Sequence, residues 1–323
     1  MIASNTMQLV QLAKLRLREF VAFNYWQFLA HGGSNYSKSK EIRLSWKSPH
    51  PNLISAVVFS KDRAMQLHAL LASFFETKVG ECELVVINKS STATHKRAYE
   101  EVAKIFGEKV KFVEQGNYPA FRDCLEHVVS QLPTGNIFFL VDDIVFTEVV
   151  DYQFLASLDV SDTVFSLRMG DHLDFSYVVD ARQPLPKTLE FKDAYLTWQW
   201  SEGRLDWGYP LSVDGHIFST SEVFLWIKYL DFVSPSSFEN ALQKLKHIYR
   251  NKRGMSFRKS RIVNIPANKV QDEVNNLHGS IHQDDLLQKW FDGMAIDHRK
   301  FRGWLNRSVH QEADFHLIKR EGK

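Results

Sequence analysis

From residue 53 to residue 146 the chain alternates between continuous apolar runs and amphipathic segments, and this alternation constrains the fold more than any other feature. The run "LISAVVFS" (53–60) is β-branched and apolar, and in the "DRAMQLHALLASFFE" that follows, Leu67, Leu70, Leu71, Phe74 and Phe75 recur at helical spacing. "CELVVINKS" (82–90) repeats the strand pattern. "THKRAYEEVAKIFG" (94–107) repeats the helical one and ends in glycine, and "VKFVEQ" (110–115) reads as a third strand. "YPAFRDCLEHVVSQL" is a helix opened by Pro119, and "NIFFLVDDIVF" (136–146) is the fourth strand. Strands apolar on both faces belong in a parallel sheet with helices on both sides, so an α/β fold with a Rossmann-like, mostly parallel sheet is predicted. Beyond Asp151 the rhythm loosens. "DTVFSLRMG" and "SVDGHIFST" read as further strands and "TSEVFLWIKYLDF" as a helix, which makes the second half an extension of the same sheet.

The 323 residues suffice for one large domain, and 40 Lys and Arg against 38 Asp and Glu leave no whole-surface basic field of the kind a general nucleic-acid binder needs. No nucleic-acid partner is expected. Two cysteines, Cys82 and Cys124, without a paired spacing suit a reducing compartment and no structural zinc. With no signal peptide or apolar span evident, a cytoplasmic protein is expected. Residues 1–50 form a separate extension: residues 7–30 read as a helix that either packs on its own domain or docks on a membrane surface, followed by a polar linker, and 51–323 form the main domain. Residues 244–261 hold eight Lys and Arg and no acid. They read as a solvated basic face or mobile loop, or as a contact for an anionic acceptor or for anionic lipid headgroups at the inner face of a membrane.

In wound sheets ligands sit outside the carboxyl ends of the strands, so the polar residues found there are the candidate site. They are Asp62 and Arg63 after the first strand, Asn88 at the second, Arg122 after the third, and Asp142 and Asp143 in the fourth. Two carboxylates in so apolar a run call for a partner, because each costs several kcal/mol to bury alone, about 3 or more. Neither GxGxxG nor GxxxxGK[ST] occurs, which removes support for dinucleotide oxidoreductases and P-loop NTPases.

The order "VVFSKDR", "VVINKS", "FFLVDDIVF", "VDGHIFSTS" and "IHQDDLLQKW" resembles the GT-A class of nucleotide-sugar glycosyltransferases over residues 53–290. The resemblance implies transfer of a sugar from a nucleotide donor, a uridine diphosphate sugar, to a hydroxyl of a glycan or lipid-linked saccharide; the cytoplasmic reading, the basic stretch and the N-terminal helix together suggest cell-surface polysaccharide synthesis at the inner membrane face. The resemblance also implies that Asp62 and Arg63 meet the nucleobase and that Asn88 continues the nucleoside pocket; Arg122 joins the donor site by its place beyond a strand end. Asp142 would lie near the ribose or donor sugar, and Asp143 would bind Mn²⁺ or Mg²⁺ on the diphosphate, where such a cation acts as a Lewis acid. Val141 stands where many members carry the first of three acids. Asp285, with Asp284 second, takes the general-base role in an inverting displacement; helix capping is the plain alternative for that pair.

Trp198, Trp200, Trp207 and Tyr209 offer flat faces for sugar rings or for the core. Gly215 leaves room for a donor sugar whose hydroxyls Asp214 binds, or marks a bulge. His310 and His316 read as surface residues in preference to late metal ligands and stay outside the predicted site. Two other functions remain open: a catalytically inactive GT-A-like protein that binds a sugar or a partner, and a sugar nucleotidyltransferase, although "SKDRAMQ" lacks the glycine-rich loop the latter needs.

Overall fold

A computed structural model of the chain describes residues 50–266 and 283–320. The predicted extension over residues 1–50, with its helix, therefore lies almost wholly outside the described residues. Strand β1 (His50–Lys61) leads into α1 (Ala64–Thr77), β2 (Cys82–Lys89) into α2 (Ala93–Phe106), and β3 (Lys111–Glu114) into α3 (Phe121–Ser130) and β4 (Thr134–Val141). Next come β5 (Ile144–Phe146), β6 (Thr163–Ser166), β7 (Glu190–Lys192), β8 (Tyr195–Gln199), β9 (His216–Ser219) and α4 (Thr220–Tyr229). The second half closes with α5 (Pro235–Leu242), β10 (Arg253–Phe257), β11 (Ile262–Asn264) and α6 (Gln283–Phe291).

Nine of these strands form one sheet in the order β7-β8-β10-β6-β9-β4-β1-β2-β3, in which only β8 and β9 run against the rest. The mostly parallel α/β sheet predicted from the alternation is present, and the second half extends it as expected. Both faces are covered, which explains the unbroken apolar strands. Ile54, Ala56 and Val58 of β1 enter one core with Phe138 and Leu140, while Val57 and Phe59 enter the other with Ile137 and Phe139. Truncating either fully buried phenylalanine to alanine would cost about 3–5 kcal/mol.

The fourth predicted strand is interrupted. β4 ends at Val141, Asp142 and Asp143 form a turn, and β5 pairs instead with β11 in a separate ribbon. The two aspartates thus stop a strand rather than sit inside one. The chain builds β3-β2-β1 in one direction and then returns to β4 on the other side of β1, so the switch point, where a ligand crevice opens, lies between the ends of β1 and β4.

The basic segment also differs from expectation. Residues 253–257 are a strand inside the sheet, so the segment is not a mobile loop, and several cations beside the strand are paired: Lys252 with Glu222 at 3.5 Å, Arg258 with Asp171 at 3.0 Å, and Arg261 with Glu148 at 3.9 Å, the last acid shared with Lys259. Among the described residues no helix is long and apolar enough to cross a membrane.

Candidate active site

At the switch point Phe59 pairs with Val141, and the amide of Asp142 donates to the carbonyl of Phe59 at 3.2 Å. This fixes the Asp-Asp turn against the end of β1. The Asp142 carboxylate accepts from Ser60 Oγ at 2.8 Å and from the Lys61 amide at 3.2 Å through one oxygen, and from Arg63 Nη1 at 3.1 Å through the other. The same Nη1 lies 3.1 Å from Asp143 Oδ2. Asp143 Oδ1 is buried and has no hydrogen-bond partner.

Because β9 is antiparallel to β4, the residues that precede it open onto the same crevice as the residues that follow β1, β4 and β6. Asp214 precedes β9 and Arg168 follows β6, and they meet there at 3.4 Å. Asp206 Oδ1 is 4.0 Å from the same guanidinium, and His310 Nε2 is 3.5 Å from Asp214 Oδ2. His310 arrives from far along the chain: Asn264, at the end of β11, binds the Val309 carbonyl, and Ile265 donates to Asp143 O at 2.8 Å. The two clusters line one cavity of about 880 Å³, which also receives Glu239 of α5 and Tyr209. That is the volume of a ligand site rather than a packing void.

The electrostatics follow from burial. Burial opposes the charge on Arg63, yet Asp142 and Asp143 outweigh it and hold the guanidinium above its usual pKa. Burial pushes Asp143 up to about 6 against the pull of Arg63, with Asp142 and Asp214 adding to the rise. For Asp214 burial is outweighed by the hydrogen bond and charge of His310, which bring it below the carboxylate range, and His310 is raised in return. Burial and the neighbouring Asp214 raise Glu239 to about 7. The hydroxyls of Ser212 and Tyr209 are its neighbours, and Ser212 works against the rise.

Several predicted residues stand elsewhere. Asp62 adopts φ +56°, which an aspartate tolerates, and both its oxygens are taken by Ser91, at 2.7 Å from the amide and 2.6 Å from Oγ. It ties the end of β1 to the loop after β2 and does not line the cavity. Asn88 donates to Glu114 at 2.7 Å, and Arg122 binds Asp231 and the Lys228 carbonyl; neither lines the cavity, although their neighbours Lys89 and Phe121 do. Gly215 has φ +71°, but a Cβ there would stand 2.3 Å from Ile262 Cδ1, so its missing side chain makes room for the core and not for a sugar.

Asp284 and Asp285 are exposed on α6, outside the cavity lining, with Asp284 3.8 Å from His95 Nε2. Trp198, Trp200 and Trp207 are fully buried and pack edge-on against one another; only Tyr209 of that group reaches the cavity.

Four cavity residues escaped the sequence reading. Arg168 carried a usable signal, a charge at the end of the predicted strand "DTVFSLRMG". Glu239 sits five residues past a Ser-Pro helix start, whereas Asp206 and His310 lie in segments without a pattern. His310, read as a surface residue, is the largest correction.

The arrangement fits a divalent cation. Asp143 Oδ1 and His310 Nδ1 are buried without partners, and the central cluster holds five carboxylates against two arginines and one histidine. Among the described residues no group of three or more His, Cys, Asp or Glu side chains is arranged as a metal cage. Mg²⁺ and Mn²⁺ need none, since one or two protein ligands are completed by water and substrate phosphates.

Compared by sequence, the chain matches no protein-family model and no curated protein. Among solved structures it is similar to Staphylococcus aureus TarS residues 1–349, at 19% identity and TM-score 0.40, covering 65% of this chain and 59% of that one. The same fragment in complex with UDP-GlcNAc gives 19% and 0.41 over 68% of this chain, and with UDP 18% and 0.40 over 65%. The chain spans about 59% of the length of that fragment.

Proposed function

We propose that the chain is a GT-A-like glycosyltransferase that takes a sugar from a uridine diphosphate donor and passes it to an acceptor hydroxyl. The observation that carries the proposal is the convergence of two charged clusters on one cavity at the switch point of the sheet: Asp142, Asp143 and Arg63 on one wall, and Asp214, Arg168 and His310 on the other. The sequence order that resembles the GT-A class leads to the same place.

Departure of a nucleoside diphosphate places negative charge where the donor bond breaks. Arg63 and Arg168 supply fixed positive charge at the cavity wall, and such preorganised charge costs no rearrangement as the bond breaks. A bound Mn²⁺ or Mg²⁺, held by Asp143 and His310, would add Lewis-acid stabilisation of the same oxygens. Acceptor activation needs a base inside the cavity, and exposed Asp285 and Asp284 do not line it. Glu239 does; burial and Asp214 raise its carboxyl to about 7, near the value a general base needs at neutral pH, with Tyr209 and Ser212 beside it. Asp142 is held by Ser60, Lys61 and Arg63, and its role in this reading is to keep Arg63 in place.

Release of UDP from a UDP-sugar, measured with and without Mn²⁺ over a set of donors, tests the proposal. Slow metal-stimulated release supports it. Binding without turnover under every acceptor would favour a sugar-binding protein. The acceptor, a glycan or lipid-linked saccharide of a cell-surface polysaccharide, and a cytoplasmic site of action at the inner membrane face remain parts of this proposal.

A further inference from the structure

Three separate segments place exposed apolar side chains in the lining of the cavity, two of them where local backbone chemistry favours something else. The hairpin Phe175–Ser176 and Ala181–Arg182 turns through Tyr177–Asp180, closed by Asp180 N to Tyr177 O at 3.2 Å. The middle of that turn is Val178-Val179, exposed by 53% and 54%, where Gly, Asn, Asp or Pro is the usual choice. Leu205 stands at φ +52°, a conformation that a bulky side chain rarely adopts, and is 40% exposed. Val233, just before the Ser234 cap of α5, is 70% exposed. All four line the same cavity. A strained or misplaced apolar residue in the lining of a site points to function, and here two independent chain segments agree, with the 70% exposed Val233 adding a third apolar contact.

The same cavity lining also carries charge. Lys246 Nζ lies 5.7 Å from the ring centroid of Tyr209, whose other neighbours are Arg168 and Glu239. One cavity therefore combines apolar, cationic and carboxylate side chains.

Resting on the glycosyltransferase reading, we infer that the acceptor is an anionic amphiphile. Its hydrocarbon chain lies on Val178, Val179, Leu205 and Val233, its phosphate faces Lys246, and its hydroxyl reaches Glu239. A neutral polysaccharide would meet these apolar side chains with hydroxyls and gain nothing from them.

The test uses the full chain and alkyl phosphates as probes: inorganic phosphate, ethyl phosphate and octyl phosphate below its micelle concentration, titrated calorimetrically. Each buried methylene is worth about fourfold in affinity. Octyl phosphate should therefore bind at least tenfold more tightly than ethyl phosphate. The double variant Val178→Ser, Val179→Ser should lose most of that difference, as should Leu205→Gly, which also relieves the positive φ. All these positions are exposed, and an unchanged melting temperature confirms the fold. Equal affinity for ethyl and octyl phosphate overturns the inference, as does a chain-length dependence that survives both variants. UDP binding in the same samples separates the two readings: a lost UDP signal with intact chain-length dependence refutes the donor site, and the reverse refutes the amphiphilic acceptor.

Discussion

Arg63 Nη1 lies 3.1 Å from both Asp142 Oδ1 and Asp143 Oδ2, so one guanidinium bridges the two carboxylates that the sequence offers to a divalent cation. The bridge explains how an apolar strand can end in two buried acids. It also leaves Asp143 Oδ1 buried and without a hydrogen-bond partner.

Replacing Arg63 with Met should therefore destabilise the ligand-free protein by about 3–5 kcal/mol, because it leaves two buried carboxylates uncompensated. Urea unfolding at pH 8 measures this as a lowered midpoint at unchanged slope. The loss should shrink at pH 5, where Asp143, with its pKa near 6, is protonated. A variant as stable as the parent at pH 8 would show that the bridge does not hold the turn.

Glu239 gives a pH signature. Its folded pKa of about 7 lies above the ordinary value of 4.5, so the folded state binds the extra proton and the associated stability is complete below pH 4.5 and lost as pH rises through 7. The groups that face it are Asp214, Arg168, His310, Tyr209 and Ser212. Glu239→Gln should flatten the fall in melting temperature between pH 5 and 8. In turnover it should lower kcat about 10²- to 10⁴-fold with donor affinity unchanged, the loss of a general base. A kcat within threefold of the parent would move the base to Asp206 or Asp214.

The buried tryptophans make the opposite kind of prediction. A Cβ on Gly254 would stand 2.2 Å from Trp198 Cε2, so Gly254→Ala should destabilise by about 1–3 kcal/mol through overpacking. Trp198→Ala should cost about 3–5 kcal/mol. Binding of a nucleotide sugar by the folded fraction should be unaffected in both, as calorimetry can check. A selective loss of affinity without loss of stability would restore Trp198 as a sugar platform.

The sequence was most informative where local pattern and tertiary burial coincide. β1 to β4 are apolar on both faces because they are the centre of the sheet, and Asp142 and Asp143 are legible because they violate that pattern. Arg63 was legible for the same reason, as the polar end of a strand. Asp62 and Asn88 share that signature but spend their polar atoms on Ser91 and Glu114, a choice made by cross-strand neighbours that no local pattern records. His310 depends on the pairing of a C-terminal segment with β11 across some 45 intervening residues, and nothing in "SVHQEADFHLI" announces it. The aromatic run around Trp200 suits a sugar face or the core equally as a sequence, and what decides is distant: Gly254 makes room for the Trp198 indole.

The central claim is a nucleotide-sugar site in which Asp143 holds the cation, and the direct measurement is a thermal-shift titration of UDP-sugars with and without Mn²⁺, on the parent chain and on Asp143→Ala. A ligand that binds only the folded state raises its stability by mass action. The expected result is a concentration-dependent rise with at least one UDP-sugar, larger with Mn²⁺, whose metal-dependent part disappears in Asp143→Ala. No rise with any UDP-sugar, or a metal-dependent rise that survives Asp143→Ala, would contradict it.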